Sequence, residues 1–378
     1  MSGPATPDAA TDAAARRVPS VPGVLDETAV RATGEWIASV QLPSGEIPWF
    51  TGGHTDPWDH VESAMGLSVA GRWEDAERAY AFLRDTQRPD GSWPIKWQQG
   101  AVDNGDVDSN YCAYVAVGVW HHHLVSGRPG FLESMWPTVR RALDLVLGFR
   151  GPRGQMWWGR GEEGFCEEAL VTGSSSIHHA LRCGVLVAEA LGESAPDWEA
   201  AADELGHVLR HHPELFTPKP EFSMDWYYPV LGGVMVGEQA AERLDARWDD
   251  FVVDGLGIRC VDHRPWVTGA ETCELVLSLE AVGRHRQALE QFTAMQHLRD
   301  DDGSYWTGLV YADGKRWPVE LSTWTAAVML LAADALSRAT PGNEIFRYVS
   351  EHTVSRVGET VARGAGGAPA DCASRGCP

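Results

Sequence analysis

Asp106-Val107-Asp108-Ser109-Asn110 sets two carboxyl groups two residues apart, directly ahead of the apolar run Tyr111-Cys112-Ala113-Tyr114-Val115-Ala116-Val117. A carboxyl at the mouth of an apolar helix is partly desolvated, which favours its neutral form and suits it to protonate a substrate near neutral pH. Asp108 is the expected proton donor, with Asp106 and Asn110 supporting it. Glu168, Asp225 and Glu271 stand in comparable places. Two such acids are what glycoside hydrolysis needs, one as protonated acid and the other as base or nucleophile. Each also has a plainer use as a helix cap, since Asp is among the commonest N-caps and Glu neutralises helix starts.

Other clusters carry less. Ser174-Ser175-Ser176 precedes His178 and His179 without a Gly-x-Ser-x-Gly elbow, so small residues for close helix packing are the simpler reading. Asp108, Cys112 and His121–His123 are zinc-ligand types, but the histidines follow Cys112 by three helical turns, roughly 14 Å at the α-helical rise. No metal is expected. Without a phosphate loop or dinucleotide fingerprint, no cofactor is expected either.

These residues depend on a repeated frame. Charged, amphipathic segments at about 27–41, 73–87, 131–149, 197–210, 239–248 and 284–298 alternate with apolar segments at about 58–70, 109–124, 170–191, 226–237, 268–282 and 322–337. The first set reads as outer helices and the second as inner ones. Links from inner to outer helix are short; links from outer to inner are long and rich in Trp, Gly, Asp and His. Six hairpins with all long loops at one end predict an all-α (α/α)6 toroid over residues 23–340, between a disordered tail at 1–22 and a largely disordered C-terminal extension at 341–378.

The geometry directs the inner-helix N-termini, with their unpaired N–H groups and partial positive charge, at the long-loop face. The residues at those ends are Asp56, Asp59 and His60; Asp106, Asp108 and Asn110; Glu167, Glu168, Ser174 and His178; Asp225, Tyr227 and Tyr228; Trp266 and Glu271; and Glu320, Ser322 and Trp324. Trp58 and the loop residues Trp93, Trp97, Trp157, Trp226 and Trp306 complete an expected aromatic, acid-lined binding pocket, to which most of the 17 Trp of the chain contribute.

The helix-closing corners recur as Gln41-Leu-Pro-Ser-Gly45, Gln87-Arg-Pro-Asp-Gly91-Ser-Trp93 and the stretch from Gln296 to Trp306. With Phe82-Leu83 ahead of the second, they resemble the repeat of the squalene/hopene cyclase and prenyltransferase superfamily. That resemblance implies an α/α toroid and acid-initiated terpenoid chemistry. The Asp-x-Asp-Asp acid motif of its class II cyclases corresponds to Asp106-Val107-Asp108-Ser109, with Ser109 in place of the last Asp. On this reading Trp97, Trp226, Tyr227, Trp266 and Trp306 stabilise cations. Against it, a pocket holding Glu168, Ser174, His178, Asp225, Glu271 and Glu320 is polar for a polyene and resembles those of (α/α)6 glycosidases, lyases and sugar isomerases.

The net charge of −22 argues against nucleic acid or an anionic membrane as partner. The N-terminus lacks the apolar core of a signal peptide and no stretch is long enough to span a bilayer, so a cytoplasmic enzyme acting on a small molecule is expected. The leading expectation is a terpene-cyclase-like or prenyl-handling enzyme. The alternative is a carbohydrate-active (α/α)6 enzyme using two of Asp108, Glu168, Asp225 and Glu271, and a non-catalytic helical-repeat binding module is the third reading.

Overall fold

The computed structural model describes residues 17–347. Six inner helices form a ring: α2 (Pro57–Val69), the broken pair α4 (Ser109–Ala113) and α5 (Val115–Ser126), α7 (Val171–Ala190), α9 (Ser223–Leu231), α12 (Gly269–Ala281) and α14 (Thr323–Ser337). Each packs on the next, and α14 returns to pack on α2. Outside them lie α1 (Glu27–Val40), α3 (Trp73–Thr86), α6 (Phe131–Leu147), α8 (Pro196–His211), α10 (Gly237–Ala246) and α13 (His285–Ala294), with the short α11 (Trp248–Phe251) following α10. The expected toroid is the observed fold.

Burial follows sequence character. Every residue of α2 is buried, including Asp59, His60 and Glu62, because the helix is enclosed on all sides. Outer helices bury one stripe, as α1 does with Val30, Thr33, Gly34, Ile37 and Val40. The ring closes where Gly66 of α2 meets α14; a Cβ there would stand 2.8 Å from Ala327 Cα, closer than side chains approach backbone.

The repeated corner is a staple. Gln41 Nε2 donates to Gly45 O in its own loop and to Asp75 O on the next outer helix, both at 3.0 Å. Gln87 repeats this with Gly91 O and Thr138 O, again at 3.0 Å. Gly45 and Gly91 sit at φ 94° and 93° against Arg78 O and Arg141 O, where a side chain would fit neither the backbone nor the space. Trp93 folds under its corner and donates to Leu83 O at 2.9 Å. The corners thus join neighbouring outer helices.

Three features depart from expectation. The long loops carry antiparallel strands: β1 (His54–Thr55), β2 (Lys96–Gln98) and β3 (Ala101–Asn104) form one sheet, and β4 (Val107–Asp108), β5 (Gly159–Gly161) and β6 (Gly164–Cys166) a second. The third runs β11 (Lys315–Arg316), β10 (Gly308–Val310), β9 (Trp266–Thr268), β8 (Gly257–Arg259) and β7 (Val252–Val253). Strands of two to four residues are too short to show alternation in sequence. The helix expected at 226–237 is Ser223–Leu231. Finally, the packed body exceeds residues 23–340: Val18 and Val21 are buried before it and Ile345 and Phe346 after it, while the rest of both expected tails lies outside the described residues.

Gly66→Ala is expected to lose about 1–3 kcal/mol of unfolding free energy, because its methyl meets backbone and a ring cannot relax one contact without moving its neighbours. Urea denaturation checks this.

Candidate active site

The inner-helix N-termini surround a cavity of about 350 Å³. Trp49, Trp58, Trp158 and Trp324 give its aromatic surface, and Asp59, Asp108 and Glu271 its carboxyls. Asn110, Thr172 and Ser174 add neutral polar groups, with Met156, Leu170, Ile177 and Met224 between them. Four lining residues carry a buried polar atom without a hydrogen-bond partner: Trp58 Nε1, Asp59 Oδ1, Asn110 Oδ1 and Ser174 Oγ. Leaving such an atom unpaired costs about 1–3 kcal/mol. With three carboxyls and these neutral polar residues in its wall, the cavity suits a hydroxylated ligand better than a hydrocarbon.

The neighbouring acids of α2 divide their work. Asp56 is the N-cap, its Oδ1 accepting from Trp58 N and Asp59 N at 2.9 Å each. Asp59, one turn in, has no capping duty. Burial drives its carboxyl well above the usual range, and the Asp56 carboxylate raises it further, with a side-chain hydrogen bond between the two. Two carboxyls can share such a bond only if a proton lies between them. Asp59 is therefore held protonated in the cavity wall. Asp108 is pushed up to about 7 by burial, but its Oδ1 accepts from Tyr111 N at 3.0 Å as the N-cap of α4. Glu271, in the first turn of α12, lines the wall and accepts a hydrogen bond from the Cys260 thiol.

A second layer lies beneath. Glu62, three residues after Asp59, accepts from Tyr114 Oη and Trp324 Nε1, each at 2.6 Å. Glu274, three residues after Glu271, accepts from Tyr228 Oη at 3.1 Å and from Tyr227 Oη. Burial raises both carboxyls, Glu62 to about 7, and each adds to the raising of Asp59. Helical spacing of three residues stacks each member below its partner, so α2 and α12 present matching acidic ladders.

Of the residues expected at the inner-helix starts, the structure brings Trp58, Asp59, Asp108, Asn110, Ser174, Glu271 and Trp324 together at the cavity. Asp106 and Glu168 are exposed on the loops. Asp225 lies outside the lining, accepting from Thr172 Oγ1 at 2.6 Å beside a separate cavity. Trp93 and Trp97 pack beneath hairpins, and Trp157 sits by Phe165. His178 is buried, bonds Gly232 O at 2.9 Å and is pushed down to about 3, a neutral packing residue. Tyr227 and Tyr228 reach the layer below, and Trp226 stacks on Phe251. Trp266 and Trp306 lie outside the cavity lining, and Glu320 braces Trp49 from behind at 2.8 Å. None of the five aromatics expected to stabilise cations lines the cavity. Asp59 was expected at the pocket but not as its acid, and Glu62 and Glu274 had no expected role; their signal was acids at Asp59-x-x-Glu62 and Glu271-x-x-Glu274 within otherwise apolar inner helices. Among the described residues, no group of three His, Cys, Asp or Glu is arranged to hold a metal ion, and no helix is long and apolar enough to cross a membrane.

No protein-family profile matches the chain. It is 60% identical over 332 residues to the MMP endo-(1,4)-3-O-methyl-α-D-mannosidase of Mycolicibacterium hassiacum, covering 88% of this chain and 92% of that protein. Among solved structures it resembles a wild-type glycosidase (TM-score 0.67, 17% identity, 82% of this chain and 96% of the other). It also resembles a D-mannose isomerase (TM-score 0.64, 11% identity, again 82% and 96%). These two likenesses concern the fold. The relative at 60% identity overturns the squalene/hopene cyclase resemblance and, with it, the terpene-cyclase and prenyl-handling expectation. The corners that carried it are staples between outer helices and do not touch the cavity.

Asp108 allows a test of the electrostatics. Its carboxyl binds a proton more tightly in the folded chain (about 7) than in the unfolded one, so its stabilising contribution is complete at low pH and is lost as pH rises to about 7. Asn caps as well as Asp. Asp108→Asn is therefore expected to match the wild type in urea midpoint at pH 4 and to exceed it at pH 8, the gap opening between.

Proposed function

The chain belongs to the family of the Mycolicibacterium hassiacum MMP endo-(1,4)-3-O-methyl-α-D-mannosidase, and from that premise we propose that it hydrolyses internal (1→4) bonds between 3-O-methyl-α-D-mannose residues. The single observation that carries the reading from family to chemistry is the cavity wall. Asp59, protonated and unpaired at Oδ1, and Glu271 share that wall with four tryptophans and no basic side chain.

The mechanism uses two carboxyls. Asp59 gives the proton it shares with Asp56 to the glycosidic oxygen as the bond to the anomeric carbon breaks, and burial, with Asp56, Glu62 and Glu274 close by, keeps that proton available at neutral pH. Glu271 supplies the second carboxylate, which either deprotonates the attacking water or attacks the anomeric carbon itself. The configuration of the first product, inverted for a base and retained for a nucleophile, separates the two by proton NMR. Trp49, Trp58, Trp158 and Trp324 offer rings to the C–H faces of the sugars and exclude water from the reacting bond. The unpaired groups of Trp58, Asn110 and Ser174 are complementary to sugar hydroxyls and ether oxygens.

The test is digestion of a (1→4)-linked 3-O-methyl-α-mannan with product lengths read by mass spectrometry. Internal cleavage into oligomers is expected, and release of single residues from one end would contradict it. Asp59→Asn and Glu271→Gln are each expected to lower kcat by about 10²–10⁴-fold with melting temperature retained. Asp106→Asn and Glu168→Gln, on exposed loops, are expected to stay near the wild type. Because the acid must be protonated, kcat/KM is expected to fall as pH rises through the elevated pKa of Asp59.

A further inference from the structure

The large apolar side chains that stay exposed among the described residues are Val102, Phe165, Phe222, Trp317 and Val319. All five lie on outer-to-inner links, the loops that frame the cavity: Val102 on the β2–β3 hairpin, Phe165 on β5–β6, Phe222 ahead of α9, and Trp317 and Val319 ahead of α14. An apolar rim gathered around a site marks an interaction surface.

Trp317 is the most fixed of them. Its carbonyl accepts from Trp266 Nε1 at 2.8 Å, its N–H donates to Gly308 O at 3.1 Å, and its ring meets that of Trp266 edge to face at 4.8 Å between centroids. Gly308 leaves the room for this: a Cβ there would stand 2.4 Å from Trp266 Nε1. The indole is thus held firmly while 54% exposed, and Val319, two residues on, is 82% exposed. A rigid, exposed ring loses little freedom when a ligand covers it. The segment is tied to the site, since the next residue, Glu320, accepts from Trp49 Nε1 and Trp49 lines the cavity.

Resting on the proposed endo-mannosidase reading, we propose that Trp317, braced by Trp266, and Val319 form a distal subsite where the methylated mannan chain leaves the cavity. The cavity volume is at the low end for sites enclosing one small ligand, so it holds the sugars at the cleavage point and no more. A chain cut internally continues across the rim. Methyl ethers make that chain less polar than a plain mannan and suit indole and valine better than a rim of hydrogen-bonding groups. A neutral glycan is also compatible with the −22 net charge, where an anionic one would be repelled.

The experiment compares Trp317→Ala and Val319→Ser with the wild type on a methylated tetrasaccharide, a methylated chain of about twelve residues and its unmethylated counterpart. For Trp317→Ala, KM on the long methylated chain is expected to rise about tenfold, the worth of one aromatic contact, with kcat and the tetrasaccharide kinetics unchanged. For Val319→Ser, whose exposure makes misfolding no explanation, a smaller rise in KM is expected on the methylated long chain alone. If the wild type cleaves the methylated chains and neither variant shifts KM, the subsite is refuted and the activity stands. Equal losses on long and short substrates would also refute it, assigning Trp317 to support of the cavity through Glu320. A wild type that cleaves none of the substrates refutes the activity, and the subsite with it.

Discussion

The contact of α14 with α2, made backbone to backbone at Gly66 and Ala327, is the constraint on which the remaining structure depends. Six helical hairpins with apolar inner members could stack as an open array with two unpaired ends. Closure removes those ends and turns six helix N-termini toward one point. There the aligned backbone dipoles meet, and three of the six ends are capped by side chains from distant parts of the chain. Asp56, Asp108 and Ser322 perform that capping by side-chain bonds.

Closure also sets the electrostatics. Four acids in two ladders, Asp59 over Glu62 and Glu271 over Glu274, stand in a space walled by tryptophan and tyrosine. Water cannot solvate so many charges there, and the cheapest response is to keep protons on some of the carboxyls. The phenols and indole around Glu62 and Glu274 donate to them and offset part of the burial cost. Asp59 is left with a proton in the cavity wall. Acidity at neutral pH is therefore chiefly a property of the packed ring, to which the local neighbour Asp56 adds.

The Gln-Gly corner shows how a repeat can report architecture faithfully and chemistry falsely. Gln41 and Gln87 solve one problem, joining an outer helix to its successor through two carbonyls, and a helical toroid meets that problem whatever its substrate. The staples lie on the same long links that frame the cavity, but none of their residues lines it. The mixture of carboxyl, hydroxyl and indole at the inner-helix starts was the better guide to substrate, because those groups must be paired or covered in the closed ring.

From the sequence alone came the alternation of amphipathic and apolar helices, the long loops on one face and hence the toroid, since each follows from periodicity and link length along the chain. Seven of the residues that line the cavity, Trp58, Asp59, Asp108, Asn110, Ser174, Glu271 and Trp324, were also legible as inner-helix starts. Which of many acids meet was not. Asp106 and Asp108 differ by two residues, yet the strand β4 sends only Asp108 inward; Asp225 points to Thr172 and away from the cavity; Asp59, buried one turn into α2, faces it. One residue of helical phase or strand register turns a side chain from cavity to solvent. That phase is set by how α2, α12 and their neighbours pack around the ring, a decision that only the tertiary structure makes.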